Sequence, residues 1–279
     1  MSGFSRSALG FALAATVALA VTLLAAPRDV AAADLNLQGD WKNVLPEPEL
    51  LKIVDDSVKY LQDATKSTTE LRTKAKPAEN RAYVLLLCAQ AGMSGDGDLA
   101  KKSGVLKDAS ITLAQAIKKQ DLPAAKKQVE TLAKFKSMKP DGEAKADAVD
   151  LAKAIPIENL MKEVTDTDKK LQEYKRLTAA AFTAQRKPEE IATASYKMAA
   201  LTMAITAHVP ENDPDPKEKD KEKQKMTKKL WLESTAEVRD ATLEMASAAK
   251  AKKAADFKAA YAKMDSACTK CHDVFRKTE

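Results

Sequence analysis

PEPELLKIVDDSVKYLQ, residues 46–62, and PIENLMKEVTDTDKKLQ, residues 156–172, read as one amphipathic helix written twice. In the first, Leu50, Leu51, Val54, Val58 and Leu61 recur at spacings of three and four, and in the second Ile157, Leu160, Met161, Val164 and Leu171 do the same. A shift of 110 residues lays Pro46 on Pro156. It matches Leu50, Lys52, Val54, Asp56, Lys59, Leu61 and Gln62 with Leu160, Lys162, Val164, Asp166, Lys169, Leu171 and Gln172, half of a fourteen-residue window.

The phase continues outward from this pair. Lys76-Pro77-Ala78-Glu79 matches Lys187-Pro188-Glu189-Glu190, each a helix start with proline preorganised for the first turn. Leu106 to Leu132 lies on Val238 to Met264 at a longer offset, the difference being taken up by an insertion around Asn212 to Lys229. Self-similarity of this kind marks an internal duplication. Each half holds four helices joined by short loops, expected near 48–73, 78–93, 100–119 and 122–137, and again near 157–184, 188–207, 226–250 and 254–276. The expected fold is all-α, two tandem four-helix bundles. Lys139-Pro140-Asp141-Gly142 marks the break between them. The insertion VPENDPDPKEKDKEKQKMTKK, residues 209–229, is too charged and too interrupted by proline to bury a face, and reads as a solvated loop.

Composition agrees. The 279 residues are 45% hydrophobic, 31% charged and 5% aromatic with 8 Gly and 11 Pro, which excludes collagen-like, wholly disordered and multi-span membrane chains. The net charge of +6 comes from interspersed Lys, Arg, Asp and Glu, without the concentrated basic face that nucleic acid requires. Arg6, the apolar run Leu9 to Ala26 and the small residues Ala31-Ala32-Ala33 form a secretory signal with cleavage expected after Ala33. An uncleaved single-span anchor is the competing reading of that run.

Near the C-terminus stands Ala267-Cys268-Thr269-Lys270-Cys271-His272-Asp273-Val274-Phe275-Arg276. Cys-x-x-Cys-His is the attachment signature of a c-type haem. Two thiols one helical turn apart add to the two vinyl groups on one porphyrin edge, and the next residue offers imidazole to the iron. Phe257, Tyr261, Met264, Cys268, Cys271 and Phe275 recur every three or four residues, a stripe that can line a flat apolar ligand. A redox disulfide would call for a βαβ pattern, absent here, and a zinc site would need a fourth ligand, for which only Cys88 and His208 remain. Cys88, within Val84-Leu85-Leu86-Leu87, reads as a buried apolar thiol. The first half has Lys136 where the duplication would place a haem cysteine, so it cannot attach haem.

The Cys-x-x-Cys-His-Asp-x-Phe-Arg string on the last helix of an α-only domain resembles cytochrome c′ and its low-spin six-coordinate relatives. That resemblance implies a haem-bearing four-helix bundle over residues 155–279, with thioether bonds at Cys268 and Cys271, His272 on the iron and Arg276 as the family's basic residue one turn on. On the family's first helix a residue commonly followed by Lys faces the other side of the haem, and Met161-Lys162 is the match here. It is Met and an iron ligand in the six-coordinate relatives, and apolar in cytochrome c′. Ile157-Glu158-Asn159 departs from the Arg-Gln pair usually found just before it.

The division expected is a signal peptide at 1–33, an N-terminal segment at 34–46, a haem-free bundle that is a degenerate repeat at 47–138, a linker at 139–154 and the cytochrome c′-like domain at 155–279. Cofactor contacts fall to Cys268, Cys271, His272, Met264, Phe275, Tyr261 and Arg276, and iron ligation to His272 and Met161, with an open site or His208 as the alternatives to Met161. The function expected is that of an exported, periplasmic c-type cytochrome with one covalent haem, carrying one electron to a redox partner protein. The alternative is a five-coordinate haem protein that binds NO or CO. No enzymatic activity, nucleic acid or membrane span after signal cleavage is expected, and a homodimer is compatible with the sequence.

Overall fold

The computed structural model describes residues 41–139, 147–215, 217 and 219–275; the signal segment and Arg276 lie outside them. Among the described residues the structure is helical and contains no strand. The first repeat contains α1 (Glu47–Ala64), α2 (Ala75–Met93), α3 (Gly97–Lys118) and α4 (Leu122–Ala133), and the second α5 (Ile157–Lys175), α6 (Lys187–Thr206), α7 (Lys228–Lys250) and α8 (Ala254–Phe275). Single turns or little more at Trp41–Val44, Thr68–Thr73, Leu151–Ala154, Ala179–Thr183 and Lys221–Gln224 fill the connections.

The leading helix of each repeat is shorter than its apolar spacing suggests, and each stops at the same place. The Thr65 hydroxyl donates to the Leu61 carbonyl at 2.8 Å, and Ser67 then restarts the chain by accepting from the Glu70 amide at 3.2 Å. In the second repeat Thr178 accepts from the Ala181 amide at 3.2 Å. Hydroxyl side chains offer the backbone local partners at a helix end, so the expected 48–73 and 157–184 each become a long helix and a short one.

The third and fourth helices of both repeats join through one device. Gln120 (φ 56°) and Lys252 (φ 57°), at the same offset of 132 that lays Leu106 on Val238, take the left-handed conformation. The next amides, Asp121 and Lys253, donate to the carbonyls of Ala116 and Ala248, both at 2.9 Å. This six-to-one bond is the signature of a left-handed helix stop.

Two apolar cores result. One joins Leu171, Phe182, Met198, Met245, Phe257 and Met264 at one end of the second repeat, with Phe182 and Phe257 rings 5.2 Å apart. The other runs without interruption from Trp41, Leu61 and Leu85 in the first repeat to Leu160, Ile205 and Trp231 in the second. Ordered chain between the repeats contributes to it: Leu151 and Ile155 are buried, and the Val149 amide donates to Gln90 Oε1 at 2.8 Å. No helix among the described residues is long and apolar enough to cross a membrane.

Candidate haem-attachment site

Helix α8 changes character along its length. Phe257, Ala260, Tyr261, Met264 and Ala267 are buried, whereas Cys268, Cys271, Val274 and Phe275 are half-buried and His272 is exposed. Its first four turns thus pack as bundle core and its last two leave an apolar edge incompletely covered. The two cysteines lie three residues apart on continuous helix, about 4.5 Å along the axis.

Helix α5 faces this edge, and Asp168 fixes its phase. Tyr261 Oη donates to Asp168 Oδ1 at 2.7 Å, while Gln172 Nε2 donates to Asp168 Oδ2 at 2.9 Å. Ile157, Met161 and Val164 lie on the same stripe of α5 as Asp168, and all three are half-buried. The two helices run antiparallel, separated by three chain reversals. Seven residues back from Asp168 on α5 is Met161, and seven residues on from Tyr261 on α8 is Cys268. Each step is about 10.5 Å of helix rise, so Met161 comes level with the first motif cysteine.

The third wall is α7. The Trp231 ring meets Phe275 edge-on with centroids 5.0 Å apart, and its Nε1 donates to the Ile205 carbonyl at 3.2 Å. Ion pairs Lys270–Glu237 (3.0 Å) and Lys263–Glu244 (2.7 Å) set the register between α7 and α8 on the outside. Ser234 Oγ on α7 and His208 Nε2 just beyond α6 are buried and find no hydrogen-bond partner among the described residues.

Burial pushes the Cys268 thiol up to about 12, with the Asp168 carboxylate and Cys271 adding to the effect, and burial raises Cys271 as well. Both sulfurs are therefore protonated at neutral pH, and neither is in a disulfide. No group of three or more His, Cys, Asp or Glu side chains among the described residues could hold a metal ion, so they do not complete a zinc site around the cysteines. Two free thiols a turn apart, a following imidazole and a half-covered apolar wall together fit a covalently held haem.

The structure thus gathers Cys268, Cys271, His272 and Phe275 on the last turns of α8 and puts Met161 across from them. Tyr261 and Met264 lie deeper, Tyr261 bonded to Asp168 and Met264 in the far core; Arg276 is outside the described residues. Asp168 and Trp231 were not singled out by the sequence. Asp168 shares the stripe of Met161 and Trp231 is the one aromatic residue of α7, but their partners become visible only in three dimensions.

The first repeat makes an instructive contrast. Its equivalent groove between α1 and α4, about 230 Å³ in volume, is lined by Val54, Val58, Leu132 and Phe135. Lys136, at the position of Cys268, pairs across it with Asp55. An ion pair closes the edge that the second repeat leaves apolar.

Neither a curated protein nor a solved structure matches the chain. Residues 157–276, from the first residue of α5 to just past the Cys-x-x-Cys-His turn, match the family model described as Cytochrome C′. The second repeat of this chain, built on its last four helices, is thus similar to the cytochrome c′ family of haem-binding c-type cytochromes.

Proposed function

We propose that the protein is an exported one-electron carrier with a single covalent haem, bonded through Cys268 and Cys271 and ligated by His272 and Met161. When bound, the haem supplies a reversible one-electron change at its iron. The remaining work belongs to the chain. The thiols of Cys268 and Cys271 would anchor the group, the His272 imidazole and the Met161 thioether would ligate its iron, and Val164, Trp231 and Phe275 would keep water from one side. Asp168 ties α5 to α8, so the spacing between the two ligand-bearing helices changes little with oxidation state. Thr269, Lys270, His272 and Asp273 are exposed, which leaves the attachment edge open to a redox partner. The segment 1–33 directs the chain to the compartment where covalent attachment takes place.

The observation that carries this reading is the placement of Met161, half-buried on the α5 stripe that faces α8 and level with Cys268. A methionine is a recognised axial partner of His-bound haem. The optical spectrum of the reduced holoprotein with and without carbon monoxide tests it. A low-spin six-coordinate spectrum with slow carbon monoxide uptake, made fast by Met161→Ala, is expected. A high-spin spectrum with fast uptake indifferent to Met161→Ala would replace electron transfer by NO or CO binding at a five-coordinate iron.

A further inference from the structure

The face of α5 turned away from α8 is polar and yet buried. Asn159 is 3% exposed and Glu163 4%, one turn apart. Asn159 Nδ2 donates to Asn80 Oδ1 at 2.8 Å, and its Oδ1 accepts from Lys76 Nζ at 3.1 Å. Glu163 Oε2 accepts from Lys197 Nζ at 2.5 Å and lies 3.7 Å from Arg81 Nη1. Lys197 belongs to α6 of the same repeat. Lys76, Asn80 and Arg81 all belong to α2 of the repeat that has no haem ligands, and the Arg81 guanidinium is further steadied 5.6 Å above the Tyr60 ring on α1.

Met161 stands two residues from both Asn159 and Glu163, about 200° around the helix. A single helix therefore shows its thioether to the attachment edge and its two buried polar groups to the first repeat. Burial costs such groups free energy unless each keeps its partner, and these partners are met at only one rotation and one height of α5. An apolar contact would tolerate sliding. This one does not.

We propose that the first repeat is a positioning platform for the Met161 helix: Lys76, Asn80 and Arg81 of α2 latch Asn159 and Glu163, and so hold the thioether at the iron. The proposal rests on Met161 ligation and supplies a role for the repeat that cannot attach haem. Lys76, Asn80 and Arg81 bond to α5 through Asn159 and Glu163, and are positioning residues only.

The test uses full-length holoprotein and two readouts, the methionine-to-ferric-iron charge-transfer band and the rate of carbon monoxide binding to the ferrous form. Asn80→Ala/Arg81→Ala should weaken the band and speed carbon monoxide binding about tenfold, equivalent to roughly 1.4 kcal/mol lost from the closed state. Arg81→Lys, which keeps the charge, should stay near wild type. Leu113→Ala, a core truncation in α3, should lower stability and leave both readouts alone. Unchanged readouts in the folded double variant would overturn the platform, as would an equal change in Leu113→Ala, which would mean general loosening. If the double variant yields no folded holoprotein, Arg81→Ala alone, with the Asn80–Asn159 bond intact, serves the same comparison. A wild-type protein without the band and indifferent to Met161→Ala would instead remove the ligand assignment, and the platform with it.

Discussion

Replacing Glu163 by leucine strips the counter-charge from a nearly buried ammonium. Lys197 is 13% exposed at its side chain, and burial already pulls its pKa below the ordinary 10.5, with Glu163 the main opposing influence. Two responses are open to the variant. The ammonium can stay charged without its carboxylate, which costs about 3–5 kcal/mol. It can also give up its proton, which at pH 7 costs about 5 kcal/mol for a group of ordinary pKa 10.5. The cheaper response sets the loss, so Glu163→Leu should lose about 3–5 kcal/mol at neutral pH. At about pH 10 deprotonation costs under roughly 1 kcal/mol, and the loss should contract accordingly. The sign follows from the depressed folded pKa: stability is present above the unfolded value and is lost as pH falls. Glu163→Leu/Lys197→Met leaves no orphaned ammonium and should lose less than the single variant. Equilibrium urea unfolding at both pH values, with slopes compared, gives the numbers. A single-variant loss below about 1 kcal/mol, or the same loss at both pH values, would show that Glu163 does not neutralise a buried charge.

Three further outcomes are expected. Denaturing electrophoresis with haem staining should show a stained band for protein matured in a competent host, and none for Cys268→Ala/Cys271→Ala. Cys88 is buried and its thiol is pushed up to about 12 from 9.0, so it should resist alkylation in the native protein and react after unfolding. Its contribution to stability, fully present below 9.0 and lost as pH rises through about 12, should vanish in Cys88→Ala. Burial holds His208 below its ordinary 6.5, against the pull of the Ile155 carbonyl, Glu158 and Asp150. Its share of stability is therefore lost as pH falls, and His208→Gln should flatten the decline in melting temperature between about pH 7 and pH 5.

The helices were legible because their causes are local. Leu50 to Leu61 and Leu160 to Leu171 announce buried stripes by spacing alone, and the prolines at 77 and 188 lie in the first turns of α2 and α6. The stops after Ala64 and Lys175 were not legible, because an apolar stripe continues in phase across a hydroxyl-capped break. The Cys-x-x-Cys-His turn was legible as a motif, and the second repeat's relation to cytochrome c′ followed from the string around it. The far side of the site was hidden for a different reason. Asn159 and Glu163 read as ordinary polar positions on an amphipathic helix; only contact with α2, 79 residues away at Asn80, turns that solvent-like face into a buried one. Trp231 likewise gains its meaning from Phe275, at the other end of an antiparallel pair.

Iron K-edge X-ray absorption on the oxidised and reduced holoprotein, wild type beside Met161→Ala, measures the axial ligand set itself. One sulfur scatterer in the iron's first coordination sphere, kept in both oxidation states and lost in Met161→Ala, is the expected result. An iron with nitrogen scatterers alone in the wild-type protein, unchanged by Met161→Ala, would contradict it.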